Sequence, residues 1–335
     1  MPVAATLRRR LPAPLRGAAR RARALRDGPA DALAQPESWL RALHGERLDA
    51  LDAAVAAAGD DDARDLTRFR ELDADVWALL LTQEHTRWPH LTAVLPSVPD
   101  PALQRLWVGT SGMPLAAQSA AFYRRLAERF AEHGRVPLRR ARVLDFGCGW
   151  GRLTRVLARD VGPGRLFGCD PVDGVLDECR RSGIRATFAR SEFLPERVPF
   201  DGRFDLAYAF SVFTHLSEPA HERCLAALHA ALAPGGVLVA TIRPPAYLAV
   251  SEHLRPALEA LGPDPQAALE GPRYLFAPHD AGPDSPLHAG GARTYGEAVV
   301  TPAYVRERWA PAFRLLAIDL LLADPHQVML ALRAE

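Results

Sequence analysis

The sequence of 335 residues contains no lysine, because all 41 of its basic residues are arginines. This absence excludes catalysis through a lysine Schiff base. It also excludes phosphate-binding loops that end in lysine and the ATP-binding lysine of protein kinases. Several classes of nucleotide-dependent enzyme are therefore ruled out before any motif is considered.

Cysteines are few, and long apolar runs are missing. The chain has four cysteines without a CxxC pair, and no Cys/His set has the spacing of a zinc site. We therefore expect reduced thiols in a cytoplasmic protein and no metal site. No stretch approaches the roughly 20 apolar residues that a membrane-spanning helix requires. The contents of 48% hydrophobic and 24% charged residues are typical of a globular protein.

Charge is balanced over the whole chain but not along it. The formal net charge of +1 gives no reason to expect a nucleic-acid partner. Residues 1–28, however, carry eight arginines against one acid. We expect residues 1–35 to form a flexible basic tail, and weak contact of residues 1–28 with an anionic membrane surface or an acidic partner is the alternative. The sequence gives no indication of the oligomeric state.

The rest of the chain divides into two regions. Residues 36–118 show apolar side chains three or four positions apart, which predicts a helical N-terminal region. Residues 119–335 are expected to form the main domain. Within it, residues 244–295 are rich in proline, glycine and histidine. Their length predicts a lid-like insertion over a substrate pocket.

From Arg142 onward, short apolar runs alternate with helical stretches. Strands are predicted at RVLDFG, GRLFGCD, IRATFAR, FDLAYAF and GGVLVATI. This alternation is typical of right-handed crossovers and a mostly parallel sheet covered on both faces. The sequence therefore predicts an α/β fold with a Rossmann-like, doubly wound sheet. Two later runs, FRLLAIDLLL and QVMLALR, are expected to pair as an antiparallel hairpin.

The first predicted strand ends in a glycine-rich turn with acids placed around it. The run Val143-Leu-Asp-Phe-Gly-Cys-Gly-Trp-Gly-Arg152 spells GxGxG, which differs from the GxGxxG of dinucleotide-binding proteins. We expect its backbone N–H groups to face a ligand. Asp145 precedes the turn, and a carboxylate there suits an ammonium group. Asp170 ends the next strand, where a carboxylate can accept both hydroxyls of a ribose.

Together these features resemble the class I S-adenosylmethionine-dependent methyltransferases, over residues 120–245 and more loosely over 295–335. The resemblance depends on the glycine turn, on FDLAYAFSVFTHL and on LAPGGVLVATI. It implies a seven-stranded sheet with an antiparallel last strand, and S-adenosyl-L-methionine as cofactor. Asp145 would lie near the cofactor amine, Asp170 on its ribose, and the glycines beside both. The cofactor-binding set so implied is Asp145, Gly147, Gly149, Gly151, Asp170, Ser191, Phe210 and Ser211.

One position departs from the family pattern. Many members place an aspartate after the third strand, where it contacts the adenine amine, but here the run is Ala189-Arg190-Ser191-Glu192. Either Ser191 or a backbone carbonyl then makes that contact. Arg152 either meets the cofactor carboxylate or is exposed, and Trp150 either shapes the turn or packs on the following helix.

The resemblance implies methyl transfer to a small-molecule acceptor, and a hydroxyl of a sugar or secondary metabolite is the acceptor we expect. A hydroxyl needs a general base, and His215 is the candidate because it follows the fourth strand. The alternative for His215 is a hydrogen bond to the backbone at a helix start. In the predicted lid, the candidates for acceptor contacts are Arg273, Tyr274, His279, Asp280 and His288.

Two other functions remain open at this point. An NAD(P)-dependent oxidoreductase would share the fold and the ribose acid, although the glycine spacing and Asp145 argue against it. A noncatalytic protein that binds the cofactor, or docks a partner through its N-terminal region, is the second alternative.

Overall fold

A computed structural model describes residues 36–58, 65–82, 85–162, 164–279 and 293–335. The predicted basic tail, residues 1–35, lies outside these ranges. The strands of the described ranges are β1 (Val143–Phe146), β2 (Leu166–Asp170), β3 (Thr187–Arg190), β4 (Phe204–Ala209), β5 (Leu232–Ile242), β6 (Tyr274–Pro278), β7 (Gly296–Val300), β8 (Phe313–Leu320) and β9 (Val328–Ala334).

Helices occupy the N-terminal region and alternate with the strands thereafter. The α-helices of the described ranges are α1 (Pro36–Ala57), α2 (Ala74–Leu80), α3 (Pro89–Val94), α4 (Pro101–Val108), α5 (Met113–His133), α6 (Arg152–Leu157), α7 (Asp173–Arg181), α8 (Glu218–Ala231), α9 (Arg255–Glu259), α10 (Pro265–Glu270) and α11 (Pro302–Tyr304). The last continues into a π-helical turn over Val305–Trp309, and 3₁₀ turns cover Leu66–Phe69, Leu138–Arg140 and Pro245–Ala249.

Seven strands form one sheet in the order β3-β2-β1-β4-β5-β9-β8. The strands β1 to β5 pair in parallel, and β9 runs antiparallel to both β5 and β8. The predicted doubly wound, mostly parallel sheet with an antiparallel last strand is thus confirmed, and so is the terminal hairpin. Because the parallel strands share one direction, the carboxyl ends of β1, β2 and β4 meet at one edge, where ligands of such sheets bind.

The N-terminal helices pack on one face of this sheet. Trp77 of α2 is fully buried and its indole N–H donates to the carbonyl of Val156 in α6 at 2.9 Å. The 3₁₀ turn at Leu66–Phe69 does not continue into α2, because Asp73 caps a new helix by accepting from the N–H of Asp75. Helix α5 also runs through the expected boundary at residue 118. The helices and the sheet therefore share one hydrophobic core.

The insertion after β5 is folded. Strands β6 and β7 form a separate antiparallel pair outside the main sheet. The insertion has its own small core, formed by Leu248, Leu254, Leu275 and Val299. It is bonded to the carboxyl edge of the sheet, where the N–H of Val300 in β7 donates to the carbonyl of Arg243 after β5. Its role as a lid stays a prediction. We call residues 244–300 the lid.

Among the described residues, no helix has both the length and the apolar content needed to cross a membrane. All four cysteines are free and buried.

Candidate functional site

A cavity of about 500 Å³ opens at the carboxyl edge of the sheet, under the lid. It lies between the ends of β1, β2 and β4 on one side and the β8–β9 loop on the other. Eight of the nine residues predicted for the site line it: Asp145, Gly147, Gly149, Asp170, Ser191, Phe210, Ser211 and His215. The tertiary structure thus gathers residues that are up to 70 positions apart in the sequence.

Asp145 is a buried carboxylate at the end of β1, 2% exposed. Its Oδ2 accepts a hydrogen bond of 2.5 Å from the hydroxyl of Thr154. Burial raises the pKa of Asp145 to about 7, and the bond from Thr154 opposes that rise. A cation in the cavity would stabilise the charged form of this carboxylate.

Asp170 at the end of β2 is fixed by two backbone donors. Its Oδ2 accepts from the N–H of Gly149 at 3.0 Å, and its Oδ1 accepts from the N–H of Val172 at 2.9 Å. Each oxygen keeps a second lone pair for a ligand donor. Burial raises the pKa of Asp170 to about 6, and the two N–H bonds oppose the rise.

The glycine turn does not offer the free N–H groups that we expected from the sequence. The N–H groups of Gly147 and Cys148 both donate to the carbonyl of Cys169, and that of Gly149 donates to Asp170. The N–H of Gly151 donates to the carbonyl of Cys148. That expectation is wrong because the turn uses its donors to hold β1 to β2 and to orient Asp170.

The three glycines are needed for different reasons. All have positive φ, a conformation that favours glycine. A Cβ at Gly147 would lie 2.4 Å from Cγ2 of Val212, so a side chain there is excluded. A Cβ at Gly149 would meet no protein atom within 4 Å, so a ligand can lie directly against this backbone. Gly151 is outside the cavity lining and packs against Ile184 and Cys179.

Ser191 lies beside Asp170. It belongs to the run after β3 in which this chain departs from the family pattern. It is 5% exposed, and its N–H donates to the carbonyl of Asp170 at 3.1 Å. Glu192 and Phe193 line the cavity next to it. This end of the cavity therefore combines an apolar ring with polar groups, which suits a flat heterocycle.

The turn after β4 is strained. Ser211 has φ of 59°, and it is the one non-glycine residue with positive φ in the described ranges. Its N–H donates to the hydroxyl of Thr241 at 2.7 Å, and that hydroxyl donates to Oε1 of Gln327 at 2.6 Å. The Nε2 of Gln327 in turn donates to Oδ2 of Asp324 at 3.0 Å. This chain of bonds connects β4, β5 and the β8–β9 loop at the cavity wall.

His215 faces the cavity but both of its ring nitrogens are occupied. Its Nδ1 donates to the carbonyl of Gly296 at 2.7 Å, because a carbonyl can only accept. Its Nε2 therefore accepts from Nη2 of Arg243 at 3.4 Å. Burial and the neighbouring charge of Arg243 lower the pKa of His215 to about 3. The backbone bond that we weighed as an alternative is present, and the ring is a neutral, weak base.

The lid contributes other residues than the candidates chosen from the sequence. Tyr274 does not line the cavity, because its hydroxyl donates to the carbonyl of Leu216 at 2.8 Å. Arg273 is exposed, and Asp280 and His288 lie outside the described residues. His279 lies behind the wall, 6.1 Å from the ring of His215. The lid instead lines this end of the cavity with Tyr247 and Tyr295, beside Arg243, Asp324 and His326 from outside the lid.

These residues gave a sequence signal too weak to use. Tyr247 and Arg243 lie in or beside a proline-rich stretch, and Asp324 and His326 lie in the terminal hairpin turn. Tyr295 stacks on His215 with the ring centroids 5.0 Å apart and an interplanar angle of 10°. The centre of the Arg243 guanidinium lies 4.3 Å from the ring centroid of Tyr247. Only the fold brings these segments to one place.

The polar groups that line the cavity match the groups of S-adenosylmethionine. Two buried carboxylates, Asp145 and Asp170, suit an ammonium group and a pair of hydroxyls, respectively. The open backbone at Gly149 lies between them in sequence. The buried indole N–H of Trp150 has no hydrogen-bond partner in the described structure and belongs to a cavity-lining residue.

Comparison with known proteins agrees with this geometry. Residues 143–236 match a family model described as a methyltransferase domain. A trans-aconitate 2-methyltransferase of Variovorax paradoxus is 39% identical over 105 residues, which are 31% of this chain and 39% of that protein. One of Methylobacterium radiotolerans is 37% identical over 134 residues, 38% of this chain and 48% of that protein. The chain thus spans less than half the length of these relatives.

Solved structures with a related arrangement include a magnesium protoporphyrin IX methyltransferase of Synechocystis PCC 6803. It is 15% identical, has a TM-score of 0.44, and the match covers 66% of this chain and 86% of that one. A methyltransferase of Mesorhizobium loti is 20% identical with a TM-score of 0.42, over 65% of this chain and 99% of that one. Residues 143–236 of this chain thus match a methyltransferase domain, and they lie in the seven-stranded sheet that the sequence resemblance implies.

Proposed function

We propose that this chain transfers a methyl group from S-adenosylmethionine to an oxygen of a small molecule bound under the lid. The observation that carries the proposal is the placement of Asp145, Gly149 and Asp170 around one cavity in a methyltransferase domain. The cofactor supplies a methyl group activated by its sulfonium charge. The protein must then align the acceptor with that methyl group and exclude water.

The proposed contacts follow from the donors and acceptors of the walls. Asp170, held by two backbone N–H groups, accepts the ribose hydroxyls, and Asp145 accepts the amine of the methionine portion. Ser191 faces the adenine, with Phe193 against its ring. Phe210 and Ser211 form the wall between the cofactor and the acceptor. Gly147 and Gly149 allow close backbone approach, while Gly151 supports the turn from outside the cavity.

For a hydroxyl acceptor, such as that of a sugar or secondary metabolite, a base must take the proton. His215 is a poor base because its Nε2 already accepts from Arg243. Asp324 suits the role better, because burial raises its pKa and Gln327 holds one of its oxygens at the cavity. We therefore assign proton removal to Asp324 and positioning of Arg243 to His215.

A carboxylate acceptor is the second candidate. Such an acceptor is already anionic and needs no base, and Arg243 at the cavity wall offers a cation to receive it. The trans-aconitate 2-methyltransferases named above are the relatives that favour this candidate. Alkaline treatment of a radiolabelled product separates the two, because a methyl ester releases its label as methanol and a methyl ether does not.

Calorimetry with S-adenosylhomocysteine tests the proposed function. The wild-type chain is expected to bind it, and Asp170→Ala is expected to weaken binding by about 100-fold, because two ribose hydroxyls lose a buried charged acceptor. Asp177→Ala, a change at an exposed carboxylate of α7, is the control. Failure of the wild-type chain to bind this ligand, or tight binding of NADH instead, would contradict the proposal.

A further inference from the structure

Helix α1 has apolar side chains on two different faces. One face is buried and carries Leu40, Leu48 and Val55. The other face points to solvent and begins with Trp39, which is 48% exposed, and Leu43, which is 65% exposed. A helix that packs on a protein through one side needs only one apolar face. The second face of α1 is not covered by any part of the chain that the structure describes.

The exposed apolar side chains of α1 are confined to its first two turns. Trp39 and Leu43 lie four positions apart, so their side chains are neighbours on the helix surface. Glu46 is exposed at the next position of this face, and the exposed positions beyond it include the small residues Ala50 and Ala57. We call Trp39 and Leu43 the α1 patch.

Hydrogen bonds from other positions of α1 hold the α1 patch outward. Glu37 accepts from the N–H groups of Thr86 and Arg87 at 3.2 Å and 3.3 Å. Asp52 accepts from the N–H of Leu91 in α3 at 2.8 Å. The helix is thus fixed at two places along its length. It cannot turn the α1 patch into the core without breaking these bonds.

The segment that precedes α1 is strongly cationic. Residues 1–28 carry eight arginines against one acid, although the formal net charge of the whole chain is only +1. Trp39 follows this segment after a short stretch of chain, so cations and exposed apolar side chains lie close together in the sequence. Stable attachment to a membrane surface needs two such signals, because one alone gives weak and reversible binding.

We propose that the α1 patch docks on an anionic lipid surface, while the arginines of residues 1–28 bind the lipid headgroups. An indole is favoured at the boundary between headgroups and water, because its ring is then buried and its N–H stays hydrated. A lipid surface accepts Trp39 and Leu43 without a shaped pocket, whereas a folded acidic protein would have to supply one. The arginines are attracted by the negative leaflet, and salt weakens that attraction. This inference does not depend on the proposed methyl transfer.

Sedimentation of the full chain with lipid vesicles tests the proposal. The wild-type chain is expected to pellet with vesicles of phosphatidylcholine and phosphatidylglycerol but not with phosphatidylcholine alone. Binding should weaken strongly at about 1 M salt, where the screening length is about 3 Å. Trp39→Ala and Leu43→Ala should each weaken binding to the anionic vesicles by about 10-fold, because less apolar surface leaves water.

Leu322→Ala is the matched control, because it truncates a leucine that is 89% exposed in the β8–β9 loop. It should change vesicle binding by less than about twofold. Trp39→Ala and Leu43→Ala alter exposed side chains, so both should keep the wild-type affinity for S-adenosylhomocysteine or, if the wild type does not bind it, the wild-type unfolding temperature. A loss of vesicle binding in these variants is then not a loss of fold.

Three results would contradict the proposal. Equal binding to neutral and anionic vesicles would overturn the role of the arginines. Unchanged binding of Trp39→Ala and Leu43→Ala to anionic vesicles would overturn the role of the α1 patch. Absence of wild-type binding to either vesicle would overturn the proposal as a whole, and tight binding to poly-glutamate in its place would point to an acidic protein partner.

Discussion

Single residues around the cavity owe their charge state to burial. Burial raises the pKa of Asp145 to about 7 and that of Asp170 to about 6. A charged ligand beside either carboxyl group can therefore change its protonation near neutral pH. An isolated carboxylate in the sequence gives no sign of this, because its pKa depends on neighbours from other strands. The same holds for His215, whose ring is neutral because burial and the charge of Arg243 lower its pKa.

Ligand affinity is expected to depend on pH through Asp145. Burial raises the pKa of Asp145 to about 7, and a bound ammonium stabilises the ionised form, so binding releases a proton below pH 7. Affinity for S-adenosylhomocysteine should therefore rise from pH 5.5 to 8 by about 10-fold more than affinity for methylthioadenosine, which has no amine. Titration calorimetry at several pH values measures the difference.

The variant Asp145→Asn is the control for that dependence. It removes the titrating group while keeping the size of the side chain, so the two ligands should then show the same pH profile. A steeper rise for S-adenosylhomocysteine that persists in this variant would assign the dependence to another group, such as Asp170.

At the scale of elements, the lid has a small core of its own. Its core of Leu248, Leu254, Leu275 and Val299 is distinct from the cores on the two sheet faces. It is joined to the cavity through Glu297, which accepts hydrogen bonds from Tyr247 and Ser251 and lies 3.7 Å from Nη1 of Arg243. The N–H groups of Gly296, Ala298 and Val300 in β7 also donate to main-chain carbonyls at the sheet edge, so only the small core of the lid is separate.

Leu254→Ala tests this separation. Leu254 is fully buried in the lid core, and its truncation is expected to cost about 2–5 kcal/mol of local stability. We expect methyl transfer to fall at least 10-fold, because the acceptor site loses its wall. Affinity for S-adenosylhomocysteine should change less than about threefold. Val250→Ala, at an exposed lid residue, is the matched control, and equal effects on transfer and cofactor binding would show that the lid is not separate.

At the scale of the whole molecule, the N-terminal helices and the sheet form one core. Besides the bond from Trp77, Nη1 of Arg159 donates to the carbonyls of Phe69 and Leu72 at 2.9 Å each. The helical region predicted as residues 36–118 is thus packed against α6 and the sheet. Its unfolding should not be separable from that of the main domain.

Trp77→Ala is expected to destabilise the whole protein by about 3–5 kcal/mol, because it removes a fully buried indole. Thermal unfolding followed by calorimetry should show one transition at a lower temperature. Trp39→Ala removes an indole that is 48% exposed and should shift the transition by much less. Two resolved transitions in Trp77→Ala would show that the N-terminal helices fold independently.

The sequence by itself determined the sheet and the cofactor end of the site. Strand periodicity and the glycine turn are local, so Asp145 and Asp170 could be placed at strand ends from spacing alone. It also determined that lysine chemistry is absent.

Only the tertiary structure decided which residues line the acceptor end of the cavity and which hydrogen-bond donors are already paired. Arg243, Tyr295 and Asp324 come from three segments that no local pattern relates, and they meet because β5, the lid and the β8–β9 loop end at one edge. The N–H groups of the glycine turn and the nitrogens of His215 were assigned wrongly or left open because their partners lie in other strands. Contacts between distant segments depend on packing, and packing is a property of the folded chain.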